Sequence, residues 1–95
     1  MSKLNDLVVE ARRRAVLDIL AEAQDYEEGE AMLGMVLSSM RLPGGYVDED
    51  LNWLAVADLV TLSGTPGVTL RAKLTALGLD VSHGAVRVHG VGRKL

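Results

Sequence analysis

The stretch that decides the fold begins at residue 51 and reads LNWLAVADLVTL to residue 62. Leu51, Leu54 and Ala55 recur at helical spacing, whereas residues 59–62 form a short run of β-type residues. Asp58 lies where the helix ends, and aspartate tolerates the left-handed conformation expected there better than most residues. The stretch therefore predicts a helix that runs directly into a strand.

A turn and a second strand follow in residues 63–75, SGTPGVTLRAKLT. Pro66 and Gly67 suit the central positions of a type II turn, because proline presets φ and glycine accepts a positive φ. The next residues alternate between apolar and polar up to residue 75, with Val68, Leu70, Ala72 and Leu74 expected to point inward. The sequence predicts a β-hairpin with strands at about 59–62 and 68–74.

Two helices are predicted upstream of this hairpin. The first runs from about residue 2 to residue 23, because positions 4, 7, 8, 11, 15, 19 and 23 are apolar at helical spacing. Glu10–Arg14 and Arg14–Asp18 are expected as ion pairs along it. The second helix is expected to start at a capping pattern within residues 25–30 and to end at 42–45, LPGG.

The remaining elements complete a single domain spanning residues 1–95. The third helix is expected at about 49–57 with Asp48 as its N-cap. A short fourth helix near Gly78 precedes an extended tail, residues 85–95, which can add one strand. The fold class is therefore α+β, mostly α, in the arrangement of a winged helix-turn-helix. The predicted core contains Leu7, Ala11, Ile19, Leu33, Val36, Leu37, Leu51, Leu54, Leu59, Leu70 and Leu79.

Several segments resemble one known family, the small ArsR-type winged-helix proteins encoded in Mu-like prophages. The segments are LNWL at 51–54, LVTL at 59–62, LTALGLDV at 74–81, and the tail with Gly84, Val88, Gly90 and Val91. The resemblance covers nearly the whole chain and implies a winged-helix fold with a role in phage or prophage transcription control. The chain has no cysteine and no histidine cluster, so metal sensing is not implied.

Charge is distributed unevenly along the chain, whose net charge is −3. Residues 1–30 carry four basic and eight acidic groups, and residues 31–60 carry one and four. Residues 61–95 carry five basic groups and one acidic group. Contact with duplex DNA must therefore come from a local patch, because the overall balance is acidic.

The leading hypothesis is a homodimer that binds duplex DNA. Its phosphate contacts would come from the predicted wing and tail, with weak base selectivity from an amide on the third helix. The residues in these roles are Arg41, Asn52, Arg71, Lys73, Arg93 and Lys94. Two readings stay open, since Arg71 and Lys73 also suit an edge strand protected against aggregation, and Arg93 and Lys94 suit a soluble terminus.

The alternative hypothesis is a winged-helix module that binds a phage or host protein. The third helix carries acidic residues and no cation, so its surface would contact protein through Glu49, Asp50 and Trp53. Trp53 is equally suited to cap the core or a subunit interface. The densest basic run, Arg12 to Arg14, is not expected to form one patch, because consecutive helical residues point about 100° apart.

The sequence contains no pattern typical of a metal site, a catalytic site or a nucleotide-binding site. His83 and His89 lack a third ligand for a metal site, no serine has the surroundings of a nucleophile, and no phosphate-binding loop is present. We therefore expect no enzyme activity and no cofactor.

No segment has the length of a membrane span or the pattern of an export signal, so a cytoplasmic protein is expected. Dimerisation is expected because the chain has more aliphatic surface than a three-helix core can easily cover. Val8, Val9, Val16 and Leu20 cannot all face one side of the first helix, and the surplus would be covered by a partner helix or by the tail.

Overall fold

The first helix faces the core with a different side from the one predicted. The computed structural model describes residues 3–94, and its first helix, α1, spans Lys3–Glu22. Val16, Leu17 and Leu20 are fully buried, whereas Leu4 and Leu7 are 70% and 54% exposed. The predicted inward stripe was therefore wrong for Leu4 and Leu7, and part of the supposed apolar surplus packs in the core instead. Both sides of α1 are apolar, and the packing of the other elements decides which one is buried.

A short strand that the sequence analysis missed follows α1. A single 3₁₀ turn at Gln24–Tyr26 leads into β1, Glu27–Gly29, and α2 then spans Glu30–Ser39. The expected helix start before residue 30 was wrong, because Asp25 and Tyr26 have φ of 57° and 58°. These left-handed residues interrupt the helical path, and the chain between α1 and α2 becomes extended.

The helix and hairpin predicted from residues 51–75 are confirmed. Helix α3 spans Val47–Val56, and strands β2 and β3 span Val60–Ser63 and Arg71–Leu74. Asp58 has the expected left-handed φ of 64°.

The type II turn also forms as predicted. Gly67 has φ of 78°, and the Val68 amide donates to the Thr65 carbonyl at 3.0 Å. One detail was wrong, since Val68 lies in the loop and is 74% exposed, not inward.

The three strands form an antiparallel sheet in the order β1-β3-β2. Glu27 of β1 lies opposite Lys73 of β3, and Val60 of β2 lies opposite Leu74. Strand β3 is therefore the central strand. The interpretation of Arg71 and Lys73 as protection for an exposed edge was wrong, because β1 covers the edge in question.

The last helix, α4, spans Ala76–Ser82, and the tail returns from it to α1. The Thr75 hydroxyl caps α4 by accepting a hydrogen bond from the Gly78 amide at 2.9 Å. In the tail the Gly92 amide donates to the Glu10 carbonyl of α1 at 3.0 Å, and Val91 is buried. The described part of the tail contains no strand, so the expected extra strand was wrong there, whereas its folding back onto α1 is confirmed.

The core lies between α1, α2, α3, α4 and the inner face of the sheet. Of the predicted core residues, the structure buries Leu33, Leu37, Leu51, Leu54, Leu59 and Leu70. Ala11, Ile19, Val36 and Leu79 are half-buried. The architecture is α+β and mostly helical, and no helix among the described residues has the length and apolar character needed to cross a membrane.

Candidate functional site

The exposed face of α3 is acidic and smaller than predicted. Glu49 and Asn52 are exposed, Asp48 is half-buried, and Val56 at the end of the helix is 90% exposed. Asp50, predicted to lie on this face, is only 2% exposed and belongs to the interior. The face that remains offers carboxylates and one amide.

Asp50 is buried because it pairs with Arg12 of α1. The Arg12 guanidinium donates to both carboxylate oxygens, from Nε at 2.8 Å and from the Nη2 amine at 2.9 Å. The guanidinium also lies over the Tyr46 ring, 4.9 Å from its centroid. Hydrogen bonding to Asp50 raises the pKa of Arg12, so the guanidinium stays charged. This pair orients α3 on α1.

Trp53 is held in a second contact with α1. The Arg13 guanidinium lies 3.9 Å from the centroid of the indole ring, a distance suited to a cation–π interaction. Arg13 also donates to the Gly90 carbonyl of the tail at 2.9 Å, and burial lowers its pKa. Gly90 has φ of 97°, and a Cβ there would lie 2.6 Å from the Trp53 ring. Trp53 is thus half-buried beneath the tail.

The cations predicted to bind phosphate do not form one surface. Arg71 on β3 is paired with Glu27 of β1 at 3.0 Å. Lys73 is exposed on the same face of the sheet, with Glu27 as its cross-strand neighbour. Strand β1, which the sequence analysis missed, therefore supplies a carboxylate beside both hairpin cations.

The other predicted cations lie away from the hairpin. Arg41 is exposed just after α2, in a left-handed conformation with φ of 63°. In the tail, Lys94 donates to the Ser82 carbonyl at the end of α4 at 3.1 Å, and Arg93 is exposed. These groups lie on different parts of the molecule, so the structure does not bring the predicted phosphate-binding cations together.

Carboxylates from α2 and α3 meet beside the hairpin loop. Glu30 at the start of α2 accepts a hydrogen bond from the Gly67 amide at 3.1 Å. A hydrogen bond with Asp48 raises the pKa of Glu30, and desolvation acts in the same direction. We name Glu30, Asp48 and Glu49 the acidic face. No local signal in the sequence predicts this contact, because the two segments are 18 residues apart and meet only through the packing of α2 on α3.

The described residues contain no group of three or more histidines and carboxylates placed to hold a metal ion. His83 and His89 are both exposed. Comparisons of the chain with protein-family models, with curated proteins and with solved structures each gave no match.

Proposed function

We propose that the chain is a winged-helix protein that acts through protein–protein contacts. The main contact is with a second copy of the same chain, in a homodimer. The winged-helix assignment is supported by the order helix, strand, helix, helix, strand, strand in residues 3–74. It is also supported by the antiparallel pairing of β1 with the last of these strands.

The observation that carries the proposal is an apolar groove along α1. Its floor is the stripe Leu7, Ala11, Ala15, Ile19 and Ala23, and its wall on α2 is Met32, Val36 and Met40. We call this surface the α1 groove. Met32 and Met40 are about half exposed, at 47% and 49%. A contiguous apolar surface of this kind is typical of a protein interface, and methionine adapts to the shape of a partner.

The shape of the groove fits a second α1 helix in antiparallel orientation. The bulky Leu4 and Leu7 lie toward one end, whereas Ala11 and Ala15 leave room for close approach in the middle. An antiparallel pair crossing at these alanines would bring Leu7 of each copy toward Ile19 and Ala23 of the other. The arrangement is self-complementary, as a two-fold interface requires.

The acidic face distinguishes this proposal from base reading by α3. Glu30, Asp48 and Glu49 surround the start of α3, where a DNA-reading helix would approach the phosphates. Phosphate neutralisation supplies much of the affinity of a DNA-binding protein, and these carboxylates oppose it. A basic surface on another protein would suit the same face.

Leu7→Glu tests the dimer. A charge in the α1 groove should convert a dimer of the parent into a monomer in light scattering at high micromolar concentration. Val68→Glu is the matched control, because Val68 is also exposed but lies on the hairpin loop outside the groove. A monomeric parent would refute the proposal, as would an unchanged dimer in the Leu7→Glu variant.

Duplex DNA binding remains the second candidate. The observation that favours it is the exposure of Lys73 on the hairpin, with Asn52 exposed on α3. A role in phage regulation belongs to this candidate, because the family resemblance implies such a role for a DNA-binding protein. Fluorescence anisotropy across a salt series tests it, because each phosphate contact contributes about −0.9 to the log–log slope. A slope near zero would reject it, and Lys73→Gln should reduce a real slope by about one contact.

A further inference from the structure

The tail encloses a cavity together with α1 and α4. Its volume is about 260 Å³. The lining comes mostly from the end of α4 and from the returning tail, with one residue from α1. The lining residues are Arg14, Val81, Gly84, Val86, Arg87, Val88, Val91, Gly92, Arg93 and Lys94. This cavity lies outside the acidic face and adjoins the Leu7 end of the α1 groove. The residues that line both are Arg14, Arg87, Val91, Gly92, Arg93 and Lys94.

The charged groups of the lining are all cationic. Arg14, Arg87, Arg93 and Lys94 contribute four positive charges, and no carboxylate side chain lines the cavity. Arg87 and Arg93 are exposed and have room to turn toward a ligand. The concentration of positive charge is local, since the whole chain carries a net charge of −3.

Arg14 is the fixed member of this set. It is only 8% exposed, and its two terminal amines donate to the carbonyls of Val81, at 2.8 Å, and Ser82. Its Nε atom is buried without a hydrogen bond, although the Asp18 carboxylate lies 3.4 Å away. Asp18 is also the acceptor of the Ser82 hydroxyl. Glu10 of α1 also lies nearby, because it lines the adjoining pockets together with Arg87. The two carboxylates are outnumbered by the four cations of the lining.

We propose that this cavity binds the phosphate group of a small phosphate monoester. Arginine presents a planar fork of donors that matches phosphate oxygens, and a dianionic phosphate can neutralise two cations at once. Four valines, at positions 81, 86, 88 and 91, supply an apolar surface for the organic part of the ligand. The volume is slightly below the range of about 300–1,000 Å³ that holds drug-sized ligands, so a compact ester is expected.

Phenyl phosphate is the probe, because it joins a phosphate to a small apolar ring. Binding is measured by isothermal titration calorimetry and by amide chemical shifts of Gly84, Val91 and Gly92 in the full chain at constant ionic strength. The test variant is Arg87→Gln with Arg93→Gln. The control is Lys3→Gln with Arg41→Gln, which removes the same charge from exposed positions outside the cavity.

We expect the parent and the control to bind phenyl phosphate alike, with shifts confined to the cavity. The test variant should keep its unfolding midpoint and bind about tenfold more weakly or worse, because two charge-assisted contacts are lost. No binding by the parent at millimolar probe, or equal binding by the test variant, would overturn the proposal. So would shifts located elsewhere.

A short DNA duplex in the same assay separates the two sources of a phosphate group. Competition between the duplex and phenyl phosphate would support the phosphate site and identify the nucleic-acid backbone as one source. Binding of phenyl phosphate without competition would support a free small ester. Binding of the duplex alone would overturn the proposal.

Discussion

Removing the charge of Asp50 while keeping its size should destabilise the protein severely. Asp50 and Arg12 have side chains that are 2% and 8% exposed, and two hydrogen bonds of 2.8 and 2.9 Å join them. In the Asp50→Asn variant the guanidinium stays buried without a counter-charge. Breaking a buried pair in this way costs about 3–5 kcal/mol. For a domain of this size, a loss of about 3 kcal/mol corresponds to a fall of roughly 12–24 °C in Tm.

The measurement is the free energy of unfolding from urea titration, followed by circular dichroism and by tryptophan fluorescence. Asp80→Asn is the control, because it makes the same chemical change at an exposed position on α4 and should change stability by less than about 0.5 kcal/mol. A double variant, Arg12→Met with Asp50→Leu, removes both charges. It should recover most of the loss, since an apolar pair of similar volume is often as stable as a buried ion pair.

Two results would refute this reasoning. If Asp50→Asn costs less than about 0.5 kcal/mol, water reaches the pair and the burial is not effective in solution. If the double variant is as unstable as the single one, the loss comes from packing around Asp50 and not from an uncompensated charge.

Three further predictions concern the core, the tail and the acidic face. Leu54→Ala should cost about 2–5 kcal/mol in urea unfolding, because Leu54 is fully buried, and a loss within the error of the titration would contradict its burial. Gly90→Ala should detach the tail, since the added methyl would meet the Trp53 ring, and a fluorescence spectrum unchanged from the parent would argue against that contact. Glu30→Gln should raise the urea midpoint at neutral pH, because the amide can keep the hydrogen bond to Asp48 that Glu30 loses when the pH rises through its raised pKa. The gain should vanish below the ordinary glutamate pKa, and a gain that persists there would have another cause.

The hairpin was predictable because its determinants are local. Pro66 and Gly67 specify the turn, and the alternation after residue 68 specifies the strand, so neither depends on distant contacts. Strand β1 was not predictable in the same way. Its three residues, Glu27 to Gly29, contain no apolar side chain and become a strand only because β3 offers an open edge.

The orientation of α1 could not be read from periodicity. The helix has apolar residues on two sides, and either side alone satisfies the helical spacing. The structure selects Val16, Leu17 and Leu20 for the core and leaves the stripe through Leu7 and Ala11 as the floor of a groove. The dimer predicted from the surplus of apolar residues stays a prediction, and the apolar stripe left accessible to a partner is the one through Leu7 and Ala11.

The basic run of α1 shows how the candidate site depends on distant residues. The prediction that its three arginines form no single patch follows from their angular spacing of about 100°. The structure adds that Arg12 reaches Asp50 on α3, Arg13 reaches the Gly90 carbonyl of the tail, and Arg14 reaches the carbonyls that end α4.

A cation at the end of a helix is favourable, so Arg14 both stabilises α4 and carries positive charge to the cavity wall. Arg12 and Arg13, in contrast, are engaged in internal contacts and offer little charge to an external ligand. The centre of α1 is therefore connected to three other elements. Among the described residues, none of the exposed cations lies on α3, the helix where a DNA-binding protein would need them.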